Sequence, residues 1–263
     1  VLKGIEDAKK ESEQMGIEVI VKKLNGVNAE KVADAMKKMR IAGCKGIAMV
    51  PSENEVLKKM IHEFAEEGIP VVTFNSDLEE SDRICFVGQN ALQSGKVAAG
   101  LMAEILPPGA EVQVISGYPS NHSHSNRSKG FISELAACRK DVEILEIQYA
   151  YDDSRSAGII TEETLKRHPD LRGVYLAASG AEAVCKVLKN HNLAGMVKVI
   201  SNDLTTKNEQ ELKHGVIQFL LGQDAYIQGY SPVMILFNKL FDGREPEKEL
   251  QYTEIVIKTK YNL

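Results

Sequence analysis

The sequence predicts an α/β protein of two Rossmann-like lobes, each a parallel sheet flanked by helices, and three observations carry that prediction. Short, β-branched, nearly continuous apolar runs alternate with amphipathic stretches of helical period along the chain. Pro107-Pro108-Gly109 interrupts the alternation partway along. The two halves also echo each other, because residues 71–77 (VVTFNSD) and 197–203 (VKVISND) are each an apolar run ending in a small polar cluster with Asp.

In chain order, residues 1–14 read as a helix, with Ile5 and Ala8 on one face and charges opposite. A pattern of this kind ordinarily opens on a strand, so a native segment is expected ahead of Val1, and residues 1–14 do not read as a leader peptide. The predicted strands are 17–21, 46–50, 70–74, 84–87, 111–115, 142–147, 173–177, 197–200 and 217–221. Runs that are apolar throughout belong to strands buried on both faces. The predicted helices between them are 29–41, 56–66, 92–105, 127–137, 156–167, 181–190, 207–213 and 227–241. In 29–41, for example, Val32, Ala33, Met36 and Met39 share a face that Lys31, Asp34 and Lys37 avoid.

Composition excludes several classes. The 263 residues are 43% apolar and 26% charged, the balance of a soluble globular chain rather than a disordered one. No apolar run approaches the ~20 residues of a membrane span. A formal charge of −5 argues against a chain that holds nucleic acid by itself. Cys44, Cys85, Cys138 and Cys185 are scattered, without a Cys-x-x-Cys pair, and read as small reduced hydrophobes, which favours a reducing, cytoplasmic compartment.

In open α/β sheets ligands bind beyond the carboxyl ends of the strands. The residues just past the predicted strands are mostly uncharged and hydrogen-bonding: Ser52 and Asn54, then Asn75, Ser76 and Asp77, then the polar loop 116–126 with Tyr118, leading to Arg127. Later strands lead into Ser179, into Ser201, Asn202 and Asp203, and into Gln223. Such groups suit hydroxyls, which donate and accept at once. Ser52, Asn54, Asp77 and Ser179 also suit helix N-caps. Arg127 fits capping poorly, since a cation at a helix start opposes the macrodipole, and Gln223 is a poorly placed amide unless it binds something.

Catalytic signatures fail. Residues 88–96 (GQNALQSGK) have six residues between the glycines where a phosphate loop has four, and Val97 stands where its Ser/Thr would be. His62 lacks the second His of a zinc-protease helix, and His122 and His124 have no third ligand nearby. No Gly-x-Ser-x-Gly elbow surrounds Ser179. No cofactor, metal or catalytic residue is expected.

Residues 3–5 (KGI), 69–77 (IPVVTFNSD), 86–90 (FVGQN) before Gly95, 127–131 (RSKGF), 199–203 (VISND) and 222–230 (GQDAYIQGY) give the chain a family resemblance. It resembles the periplasmic-binding-protein-like fold, class I, of the ribose-binding type, shared by bacterial solute-binding proteins and the effector domains of lactose-repressor-type (LacI/GalR) regulators. The resemblance implies two lobes joined by three hinge crossovers, 1–106 with 224–248 and 107–223 with 249–263, and a ligand held between them. It implies that Arg127 grips ligand hydroxyls, with Asp203 and Gln223 adding a carboxylate and an amide. Asn75 and Ser76 stand where the family often has Asp and Arg, and Ser179 where it has Asn, so the particular sugar is open. Phe74, Tyr118 and Tyr226 are candidates for stacking on a sugar face. The family's first strand would precede Val1.

The first expectation is therefore the sugar- or polyol-sensing effector domain of a lactose-repressor-type regulator: cytoplasmic, a homodimer, reaching DNA only through a segment absent from this chain. The second is an extracytoplasmic sugar-binding protein of an ABC transporter. The third is an α/β enzyme using His122, His124 or Asp203. A helix-turn-helix module or a signal peptide upstream of Val1 would separate the first two.

Overall fold

The computed structural model describes residues 1–24, 26 and 28–263. In chain order these form α1 (Leu2–Gln14), α2 (Ala29–Ile41), β1 (Ile47–Met49), α3 (Glu55–Glu66), β2 (Val71–Phe74), β3 (Cys85–Gln89), α4 (Ala91–Ile105), β4 (Glu111–Ser116) and α5 (His122–Cys138). They continue with β5 (Glu143–Ile144), β6 (Gln148–Tyr149), α6 (Ser154–Arg167), β7 (Leu171–Leu176), α7 (Ala181–Asn190), β8 (Lys198–Asn202) and α8 (Thr206–Lys213). The chain closes with β9 (Phe219–Gly222), α9 (Ala225–Asp242), β10 (Leu250–Thr253) and β11 (Val256–Lys258). No described helix is long and apolar enough to cross a membrane.

Two compact units result: Val1–Gln89 with Ser120–His122 and Asp224–Glu254, and Asn90–Pro119 with Ser123–Gln223 and Ile255–Leu263. Residues 90–106, grouped with the first lobe from sequence, fall in the second unit, and 249–254, grouped with the second, fall in the first. The reason is local packing. Gly95 of α4 lies so close to α5 that a Cβ would meet the Arg127 carbonyl oxygen at 2.1 Å. β10 is hydrogen-bonded alongside β3, which holds it in the first sheet.

In the first unit the strands run in the order β1-β2-β3-β10, all parallel. On one face Val32, Met36, Leu57, Ile61 and Phe64 of α2 and α3 bury against Ile47, Met49 and Val71. The helical period seen in the sequence is this face. On the other, Ile5, Ile235 and Leu236 of α1 and α9 cover Val72, Phe74 and Val87. Asn54 caps α3, its side chain accepting from Val56 N–H at 2.8 Å, so the capping role falls to Asn54 rather than Ser52. Residues 17–21, predicted as a strand, are not one: among the described residues they have no strand partner. β-Branched composition makes a strand only where a neighbour supplies the other half of the ladder.

In the second unit the order is β11-β9-β8-β7-β4-β5, with β6 also on β4; β11 is antiparallel to β9 and the other pairs are parallel. α6, α7 and α8 bury Ala157, Val184, Leu188 and Leu212 against Val174, Leu176 and Val199. α4 and α5 bury Ala98, Met102, Phe131 and Leu135 against Val112, Val114 and Tyr175. The Phe131 and Tyr175 rings stack with centroids 4.2 Å apart. Of the predicted 142–147 strand only Glu143–Ile144 form β5, and β6 follows beyond its end at Gln148–Tyr149, both pairing with β4. The terminal strands show no continuous apolar run: β10 has Gln251 and Thr253 at alternate positions, and β11 is only three residues long, ending on Lys258.

Candidate ligand-binding site

In the second unit, four elements bring polar side chains to the carboxyl end of the sheet. α5 begins at His122, not at Arg127, so Arg127 sits in the second turn, where the macrodipole no longer bears on it. Its position is explained by hydrogen bonds instead. Arg127 is 3% exposed; Nη1 donates to the Ala177 carbonyl beyond β7 at 3.3 Å, and Nη2 donates to Gln223 Oε1 beyond β9 at 3.0 Å. The other end of that amide, Nε2, donates to Asp203 Oδ1 beyond β8. Only one orientation of the Gln223 amide serves a guanidinium on one side and a carboxylate on the other, so this network fixes it. Asp203 has φ 72° and donates its N–H to Leu221 O at 2.9 Å, while the Asn208 amide donates to the carbonyls of Asn202 and Asp203 at 3.1 and 3.0 Å. The carboxylate is held on a loop pinned from three sides.

Two groups that the sequence did not single out for binding join this set. His124 accepts a hydrogen bond at Nδ1 from the Tyr118 N–H at 3.2 Å, which leaves its proton on Nε2. Burial pushes its pKa below the usual 6.5, and Arg127 adds to that, while Asp152 and Asp203 oppose it. His124 is therefore a neutral imidazole beside charged groups. Asp152, with φ 58°, accepts from Ser179 N–H at 3.3 Å. Tyr118 meets Tyr151 edge-to-face with ring centroids 5.5 Å apart. Ser179 is exposed and is not the cap of α7, whose N-cap position is Gly180 with φ 115°.

In the first unit, Asn75 follows β2 with φ 64°, and its amide donates to Gln228 Oε1 at 3.0 Å. Gln228, in the first turn of α9, is fully buried and gave no sequence signal, because one amide in a helix looks like any exposed polar position. Ser76 is buried beside Asn75, and its Oγ has no partner among the described residues. Asp77 is held by protein donors. Its Oδ1 accepts from Thr73 Oγ1 at 2.7 Å, Leu78 N–H at 2.8 Å and Arg83 Nε at 2.6 Å, and its Oδ2 from Arg83 Nη2 at 2.7 Å. Both oxygens accept from protein donors, so Asp77 braces the loop after β2. Tyr226 stacks on Tyr230 with its hydroxyl 3.4 Å from Asp7, and Phe74 is core, which leaves Tyr118 as the aromatic candidate adjoining the polar set of its own unit.

In the second unit, amides, hydroxyls, the Arg127 guanidinium and the Asp203 carboxylate lie beyond the strand ends, where open α/β sheets bind small molecules. The chain belongs to the periplasmic binding protein domain family, whose profile matches residues 2–245. That is a family of binding proteins, which sets the enzyme expectation aside.

Among curated proteins, the chain is similar to the xylose/arabinose-binding protein XylF of Sulfolobus acidocaldarius, 22% identical over 74% of this chain and 52% of that protein. It is also similar to the ribose import binding protein RbsB of Bacillus subtilis, 24% identical over 66% of this chain and 54% of that protein. The chain thus spans about half the length of these curated relatives. Among solved structures, a sugar-binding protein of a Bacillus halodurans sugar ABC transporter superposes with TM-score 0.87 at 26% identity, covering 99% of this chain and 92% of the other. A putative LacI transcriptional regulator from Bacteroides fragilis superposes with TM-score 0.87 at 22% identity, covering 99% and 91%, a likeness of fold.

Proposed function

We propose that the chain is an extracytoplasmic sugar-binding protein that serves an ABC-type transporter. The observation that carries the sugar reading is the Arg127–Gln223–Asp203 chain. A sugar hydroxyl beside it can accept from the guanidinium and donate to the carboxylate, and vicinal hydroxyls repeat that alternation. Tyr118 and Ser179 are proposed to complete the recognition within the second unit, with His124 as a neutral donor, and Asn75 and Ser76 are proposed as ligand-binding groups of the first. The similarity to XylF, a xylose/arabinose-binding protein, and to RbsB, a ribose import binding protein, supports a pentose or a related small sugar.

Scattered reduced cysteines placed the regulator first on sequence grounds, but they are compatible with either role, whereas the relatives that name a function are mostly transport proteins. The regulator reading keeps one supporting observation, the Bacteroides fragilis neighbour, and the homodimer and the DNA partner belong to it alone. Calorimetry against D-xylose, L-arabinose, D-ribose, D-glucose and D-galactose tests the sugar reading. Saturable binding of at least one supports it, and neither heat nor thermal shift with any of them overturns it. Reconstitution with a sugar transporter, against co-purification with operator DNA, then separates carrier from regulator.

A further inference from the structure

The second unit buries three polar groups whose hydrogen bonding is incomplete. Asn202, 1% exposed at the end of β8, donates from Nδ2 to Leu176 O at 2.8 Å and to Tyr175 Oη at 3.2 Å. Both amide protons are thereby spent, and the reverse orientation would set Oδ1 against the Leu176 carbonyl, so Oδ1 is fixed as an acceptor. It is buried without a partner among the described residues. Tyr175 is fully buried and stacked on Phe131, and its hydroxyl accepts from Asn202 but has no acceptor for its own proton among the described residues. Ser94 Oγ, on α4, is buried and equally without a partner. Buried hydroxyls on other helices, Ser12, Ser128, Thr161 and Thr164, donate to the carbonyl four residues back at 2.8–2.9 Å. Ser94 makes no such bond to the Asn90 carbonyl, so its hydroxyl is left for another partner.

Topology brings the three groups to one level. α4 runs against the strands, because a Cβ on Gly173, near the start of β7, would meet Met102 and Leu106 of its last turns at 3.3 and 3.1 Å. Ser94 lies eight residues before Met102, ~12 Å along the helix. Gly173 pairs with Lys198, and Asn202 lies four residues further on, ~13 Å along the strand. Ala98, one turn on from Ser94, packs in the cluster that holds Tyr175 and Ile200, and Ile200 shares its strand face with Asn202. One water molecule satisfies all three groups: it accepts from the two hydroxyls and donates to Oδ1, giving the about three bonds usual for an internal water.

We propose that one internal water molecule is a fixed component of the second unit, bound by Ser94 Oγ, Asn202 Oδ1 and Tyr175 Oη. It locks the Asn202 amide, which ties β8 to β7 where Asp203 and Ala177 leave those strands to hold Gln223 and Arg127. Ser94, Asn202 and Tyr175 are thus positioning residues, and the water site is independent of which ligand the unit takes.

The test uses the full chain without sugar, in a crystal structure at atomic resolution and in solution by oxygen-17 relaxation dispersion of water, whose amplitude counts long-lived internal waters. The expected density is a single peak about 2.7–3.2 Å from each of Ser94 Oγ, Asn202 Oδ1 and Tyr175 Oη. Ser94→Val removes one partner and puts a methyl group where the water would sit, so its dispersion amplitude is expected to fall by one long-lived water. Should Ser94→Val fail to fold, the density of the unaltered chain decides alone. The proposal is overturned if that density is missing, if the Ser94 hydroxyl is found bonded directly to protein, or if folded Ser94→Val and the unaltered chain give the same amplitude. No sugar enters either measurement, so failure here and failure of the sugar reading are told apart.

Discussion

Arg127 and Gln223, 96 positions apart in the chain, are joined by a hydrogen bond of 3.0 Å in which the guanidinium donates to the amide oxygen. The amide's free hand then reaches Asp203. A cation and an anion are thus linked through a neutral spacer at the carboxyl end of the second unit's sheet.

Asp203→Asn keeps the shape of the side chain and an acceptor for Gln223 while removing the charge. Loss of a charge-assisted bond of ~1.5–3 kcal/mol predicts sugar affinity weakened by more than about tenfold, with the melting temperature little changed. Titration calorimetry alongside a thermal melt reads both.

Asp77→Ala is predicted to act on stability alone. The Arg83 and Asp77 side chains are 3% and 7% exposed, and the loss strands Arg83 with only Glu249. Breaking a buried pair of this kind costs about 3–5 kcal/mol. Denaturant unfolding checks the size, and the double variant with Arg83→Met should recover part of the loss. Sugar affinity per folded molecule stays at the wild-type value.

Gln228→Leu removes the acceptor of the Asn75 amide inside the first unit. Stability is predicted to fall by about 0.5–1.5 kcal/mol, the net contribution of one hydrogen bond. Affinity falls as well, because Asn75 loses its fixed orientation. Denaturant unfolding and titration calorimetry of Gln228→Leu read the two effects.

His124 sets a pH dependence. Its folded-state pKa lies below the usual 6.5, chiefly through burial, so the unfolded chain takes up this proton first as pH falls. The His124 contribution is therefore at its best above about pH 6.5 and declines as pH drops below that value, levelling off once the folded imidazole is protonated too. Thermal melts of wild type and His124→Gln across this range should differ in slope on the acid side only.

How much of the site was legible in the sequence depends on the range of each interaction. Arg127, Asp203 and Gln223 stood out because each comes after a strand or a polar loop in an α/β pattern, and topology carries strand ends to one edge. Asp77 looked the same locally, and its bracing role is due to Arg83, whose bidentate grip a string of residues does not display. Gln228 and His124 were hidden for the opposite reason: their environments are made by β2 and by the Gly117–Tyr118 backbone, not by their neighbours in their own helices. Residues 17–21 have the composition of a strand, and pairing is a property of two segments that composition reports for only one.

The Arg127 guanidinium, positioned by Gln223 and Asp203, is the group on which the sugar-binding reading turns. Calorimetric titration of wild type and Arg127→Ala with the tightest-binding sugar tests it most directly. Affinity is predicted to fall by about a hundredfold or beyond detection, from the loss of charged hydrogen bonds worth ~1.5–3 kcal/mol each, in a chain that still melts cooperatively. Equal affinity in the two proteins would contradict it.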